Sequence, residues 1–164
     1  MNRLSQSLYL CGTVVTLLSA PAWAAFSCTW SSAPGVSFGV YDEFGTPTDT
    51  TATIVTTCSN TGLPSAATVM TVTIGPSANS GSTAVRLMAG GSPNYFLQYN
   101  LYSGAARSKI WGNSVGVNSV NILISGIPTN GTKDYSFTIY GRIPANLAPR
   151  VGNYTDTVSL TVSP

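Results

Sequence analysis

Few residues in this chain of 164 can do chemistry, and their types decide much before any fold is considered. Histidine is absent, so a Ser-His-Asp or Cys-His arrangement is impossible and the commonest general base is missing. Five carboxylates are present, Asp42, Glu43, Asp49, Asp134 and Asp156, and acid-base work would need two of them to face each other. Asp42 and Glu43 are adjacent, so in extended chain they point to opposite faces; the others fall near predicted strand ends or turns and read as solvated turn residues. The stretch "GPSANSGST" resembles a phosphate loop only superficially, because no lysine follows its last glycine and no helix opens after it. It reads as an exposed loop, as does "MAGGSPN". No catalytic residue, metal ligand or cofactor is expected.

The cysteines carry more information. The opening "MNRLSQSLYLCGTVVTLLSAPAWA" has one positive charge at Arg3, an apolar run from Leu8 to Leu18, and a small-x-small ending at Ala22, Trp23 and Ala24. That pattern predicts an export signal over residues 1–24, cleaved after Ala24, with an apolar run too short to span a bilayer. Cys11 lies inside that run after Leu10 rather than a small residue, which argues against a lipoprotein. Cys28 and Cys58 are then left in an exported chain, and a structural disulfide between them is the natural reading.

Residues 25–164 make one domain, long enough for a core. The whole chain has seven Lys and Arg against five Asp and Glu, too few and too balanced to form a basic surface for nucleic acid. Low charge with abundant Thr, Ser, Gly and Val predicts an all-β domain with a hydroxyl-coated surface.

The elements that must position these residues follow one another as short alternating runs. "VSFGVY" turns Val36, Phe38 and Val40 inward, and "TATIVTTC" places Ala52, Ile54, Thr56 and Cys58 on one face, Cys58 pointing inward for a bridge between sheets. "ATVMTVTIG" forms a third strand ended by Gly75-Pro76, a short "TAVRLM" follows, and "NYFLQYNLY" lines up Tyr95, Leu97, Tyr99 and Leu101. "VNILISGI" and "DYSFTIYGRI" flank "PTNGTK", where Asn130-Gly131 signals a hairpin, and Tyr135, Phe137, Ile139 and Ile143 share one face of the second arm. Seven or eight strands without a helix predict an immunoglobulin-like β-sandwich.

"RVGNYTDTVSLTVSP" is a terminal strand with Tyr154, Val158, Leu160 and Val162 on its apolar side. A final G strand normally pairs with such an F strand, and none follows here. Either an N-terminal strand of the same chain covers this edge or another molecule does. Met88, Arg107, Lys109, Trp111 and Leu147 fall near loops, where they are candidates for an exposed contact. Asn130-Gly131-Thr132 and Asn153-Tyr154-Thr155 match the glycosylation acceptor pattern, the first being better explained by its turn.

Six blocks in order, "VSFGVYDEF", "TATIVTTCS", "RLMAGG", "LQYNLYS", "GRIPAN" and "GNYTDTVSLTV", resemble the spore coat protein U domain, which includes pilin subunits of archaic chaperone-usher pili. The resemblance runs from Cys28 to Val162. It implies a pilin-type, incomplete immunoglobulin fold lacking its last strand. It also implies partners: a periplasmic chaperone that lends a strand, an outer-membrane usher, and other pilin or coat subunits. The protein would pass through the periplasm to the cell surface, a fimbrium or an extracellular coat. The donor groove would be lined by Tyr154, Val158, Leu160 and Val162.

Between the expected cleavage site and Cys28 stand Ala25, Phe26 and Ser27, which reach about 10 Å, whereas a strand needs ~17 to 20 Å. A chain that accepts a strand and donates none is expected at the end of a fibre, as its tip, or outside a linear fibre altogether. Two functions compete: a structural or initiating subunit, and an adhesin-type module whose loops touch a ligand. Apolar side chains exposed together at loop tips would favour the second.

Overall fold

The computed structural model describes residues 25–64, 67–90 and 95–164; the predicted export signal lies outside them. Strands β1 (Ala25–Ser32), β2 (Thr48–Thr61), β3 (Thr68–Ser77), β4 (Arg86–Gly90), β5 (Tyr95–Tyr102), β6 (Val120–Ile124), β7 (Thr132–Ile143), β8 (Tyr154–Thr155) and β9 (Val158–Ser163) follow in order. Among the described residues no helix is long and apolar enough to cross a membrane. One antiparallel sheet has the order β1-β2-β7-β5-β4-β8 and the other β6-β3-β9.

Period-2 alternation accounts for the packing. β2 buries Ile54, Thr56, Cys58 and Asn60 and turns Thr53, Val55, Thr57 and Ser59 outward, where hydroxyls pair across strands. Ser27 and Ser59 meet at 2.7 Å, and the Thr57 hydroxyl donates to Asp134 at 2.6 Å. Ile54, Phe137, Ile139, Leu97 and Leu101 from the larger sheet form one core with Met70, Val72, Ile74 and Ile124 from the smaller. Trp111, from the connection after β5, is fully buried within that core, and its indole N–H donates to the Val72 carbonyl at 3.0 Å.

Five expectations are corrected. Cys28 and Cys58 are bonded, as read from the sequence, but they are direct cross-strand partners of β1 and β2, so the bridge joins neighbours in one sheet and not two sheets. Asn130-Gly131 is not a hairpin: β6 pairs with β3 and β7 with β2 and β5, so the chain crosses between sheets there. The turn itself is real. Asn130 takes a φ of 58°, the Gly131 N–H donates to the Pro128 carbonyl at 2.9 Å, and the Asn130 side chain accepts from the Gly62 N–H at 3.0 Å. β3 does not stop at Gly75-Pro76 but runs through them with a register shift between Ile74 and Ser77, which accommodates a residue without an N–H. The terminal strand is two pieces, β8 pairing with β4 in the larger sheet and β9 with β3 in the smaller.

The fifth correction concerns residues 36–41, which form no strand. Val36 and Phe38 are half-buried, but Val40 is 95% exposed. Gly39 at φ 72° breaks the extended path, and among the described residues the segment joins no sheet ladder.

Candidate functional site

β9 is paired on one side only. Its residues Val158, Leu160, Thr161, Val162 and Ser163 register with β3, while its other edge faces β1 and the irregular segment after it; among the described residues no strand ladder joins that edge. Between residues 33–38 and β8–β9 lies an open groove of about 400 Å³. Its floor is core: Ile54, Leu101 and Ile139 from the larger sheet, Ile74 from β3, and Met88 and Tyr99. A wider continuation of about 930 Å³ runs between residues 35–44 and 149–154 over Met88, Leu97 and Ile143.

The walls are fixed by specific contacts. The Thr50 hydroxyl donates to the Ser37 carbonyl at 2.7 Å. The Phe38 ring lies against Tyr99 edge-on, centroids 5.7 Å apart, and rests over Gly141, where an added Cβ would come within 2.9 Å of it. Tyr41 pins the loop before β8: its hydroxyl donates to the Pro144 carbonyl at 2.9 Å and accepts from the Leu147 N–H at 2.9 Å. On the opposite wall Asp156 accepts from the Tyr99 hydroxyl at 2.6 Å and from the Asn79 amide at 3.0 Å. Burial, then this hydrogen bond to Asp156, raises the Tyr99 phenol well above the usual tyrosine range.

Beneath the groove Arg86 is fully buried. Its guanidinium donates to Asn100 Oδ1 at 2.6 Å and to the carbonyls of Gly75 at 2.9 Å and Trp111 at 2.8 Å, holding β3, β5 and the Trp111 segment together. Burial lowers its pKa, with the charges of Tyr99 and Asp156 opposing that shift.

Of the residues read as groove-lining, Tyr154, Val158 and Leu160 line it, and Val162 packs on the core on the same side. The loop candidates fare differently. Met88 is buried and forms groove floor, and Trp111 is core, because a large apolar ring is held inside once its one polar N–H finds a carbonyl. Arg107 is no free contact either: it donates to the Gly141 carbonyl at 3.2 Å and pairs with Asp49 at 3.2 Å. Leu147 is half-buried against the core; only Lys109 is exposed.

The carboxylates are separately employed. Asp49 holds Arg142 through bonds of 2.7 and 2.8 Å, Asp42 caps a turn through the Phe44 N–H at 3.0 Å, and Asp156 is half-buried rather than a solvated turn residue. Among the described residues no three His, Cys, Asp or Glu are grouped to hold a metal ion. Sequence reasoning missed Asp156 and Phe38 as groove residues. The one available signal for Asp156 was its place in the inward row between Tyr154 and Val158.

Among curated protein sequences none matches this chain. Solved structures share its fold, among them chains of two chaperone–subunit complexes. A chain of the CsuC–CsuE chaperone–tip adhesion subunit pre-assembly complex, from archaic chaperone-usher Csu pili of Acinetobacter baumannii, is 19% identical with a TM-score of 0.53. A chain of a chaperone–tip adhesin complex of CFA/I fimbriae biogenesis is 13% identical with a TM-score of 0.50. The comparisons cover 84% and 85% of this chain but only 40% and 42% of those, so it spans about two fifths of their length. The family model of the spore coat protein U domain matches residues 14–161, and the chain belongs to that family.

Proposed function

We propose that this protein is an exported structural subunit of a bacterial surface fibre or coat that accepts an extended segment of another molecule beside β9. The observation that carries the reading is the unpaired β9 edge over an open apolar floor. Burying that floor under a strand would supply main-chain hydrogen bonds and apolar area together, which is β-strand addition. The donor would be a periplasmic chaperone during export and a neighbouring subunit after passage through an outer-membrane usher, in line with the pilus assemblies whose fold this chain shares. The role requires neither catalysis nor a cofactor.

The tip position is the finer part of the proposal. Ala25, Phe26 and Ser27 pair with Thr61, Asn60 and Ser59 in the domain's own sheet, so they are committed and not free to donate. Fusing an alternating apolar segment ahead of Cys28 should confer head-to-tail polymerisation; long homopolymers of the native protein under the electron microscope would contradict a terminal role. The principal test is hydrogen exchange of the amides of Val158–Ser163 with and without a donor peptide. Protection that rises with peptide supports strand addition, and full protection in the free monomer refutes it.

A second reading, an adhesin-type module, is favoured by one observation. Val40 and Phe44, 95% and 88% exposed, and the fully exposed Val151 stand on the two loops that flank the wider end of the groove. Replacing all three with serine should abolish surface attachment without altering peptide capture at β9.

A further inference from the structure

Among the described residues Asp156 is the one charged residue lining the narrow groove. It stands where the chain leaves β8 for β9, and the joint is clamped: Asn79 donates to Asp156, to the Leu87 carbonyl at 2.9 Å and to the Thr155 carbonyl at 3.4 Å. An ionised carboxylate offers about four acceptor sites, and the hydrogen bonds from Tyr99 and Asn79 use two of them. Holding the joint explains those two bonds. It does not require the carboxylate to line an apolar groove while half-exposed.

We propose that Asp156 selects the strand that fills the groove: the occupant sets a neutral hydrogen-bond donor, a threonine, serine or asparagine side chain, opposite Asp156, and apolar side chains at the alternate positions facing Val158 and Leu160. The inference rests on the strand-accepting reading above. A strand added to β9 lies ~4.8 Å away and covers the carboxylate's remaining face. An aliphatic side chain there strips water from a charge and returns nothing. A hydroxyl or amide replaces the lost hydrogen bond, and bonds to charged acceptors are the stronger kind. Lysine fits less well, because the groove around Asp156 is otherwise lined by apolar and uncharged residues, and an ammonium enclosed there has three donors to satisfy and a large desolvation cost.

The test uses the purified protein and synthetic peptides of alternating valine and serine, in which each valine in turn is replaced by threonine, lysine or leucine. At one position threonine should bind roughly tenfold more tightly than leucine and more tightly than lysine, the reverse of the order at the other positions. Asp156→Asn should erase the preference, and Tyr99→Phe, which keeps the carboxylate, should retain it. If every position prefers leucine, or if the preference survives Asp156→Asn, the inference is wrong while the groove still accepts strands. If no peptide binds, the strand-accepting reading fails and this inference with it.

Discussion

Leu160→Asp and Thr161→Asp place the same charge on adjacent residues of β9 and differ only in the face it occupies. Leu160 sits across from Ile74 and lines the groove; Thr161 sits across from Thr73 and is exposed. In the free protein the groove is open and Leu160 is half-buried, so a carboxylate there keeps much of its water and forfeits only part of the ~1.5–3 kcal/mol that burying a leucine contributes. A loss of about 1–2 kcal/mol in urea unfolding is expected. Once a strand covers the groove, the carboxylate is enclosed among Ile54, Ile74 and Ile139, and the penalty rises to several kcal/mol. Affinity for a donor peptide should therefore fall by roughly 100-fold or more. Thr161→Asp should change stability by no more than ~0.5 kcal/mol and affinity by about twofold. Calorimetric titration of the two variants with one peptide makes the comparison. Equal losses in both, or wild-type affinity in Leu160→Asp, would refute a peptide lying on the inward face of β9.

Three further outcomes are expected. Cys58→Ala opens a bridge spanning 30 residues, for which the chain-entropy model gives ~3.6 kcal/mol, and chemical denaturation should show a loss of that order. Gly141→Ala pushes a methyl group into the Phe38 ring, which should cost about 1–3 kcal/mol by overpacking and shift the Phe38 and Tyr99 ring resonances in NMR spectra. Asp49→Asn tests the exposed ion pair. The Arg142 hydrogen bond foremost, partly offset by burial, holds the Asp49 carboxyl below its ordinary 3.8, so its stabilisation is present above that value and is lost as pH falls through the folded pKa. With Asp49 about a third exposed, the loss should be only ~0.5 kcal/mol at neutral pH, and melting curves of variant and wild type should converge in strong acid.

Much of the candidate site is legible in the residue order, and the limits are specific. Tyr154, Val158 and Leu160 line the groove because a period of two fixes which side of a strand they share. The same rule marked Val36 and Phe38, which do turn inward, but it failed for Val40, since alternation describes a face and cannot supply the neighbouring edge that makes a strand. Trp111 looked like a loop residue because its flanks are polar and glycine-containing; only the Val72 carbonyl, 39 residues away in the chain, makes it core.

By itself the sequence determined the all-β class, the bonded pair Cys28 and Cys58, and the inward faces of most strands, for these depend on residue type and local spacing. The tertiary structure alone decided which edges meet. Nothing local distinguishes a hairpin at Asn130-Gly131 from a crossing between sheets, because the turn is the same and the difference lies in distant hydrogen-bond partners. The groove is likewise a property of pairing: β9 finds β3 on one side, the segment after β1 runs past the other without a ladder, and Asp156 gains its place because Tyr99 and Asn79, from two other parts of the chain, converge on it. Local propensity sets which groups are available; burial and long-range partners set which of them remain open to another molecule.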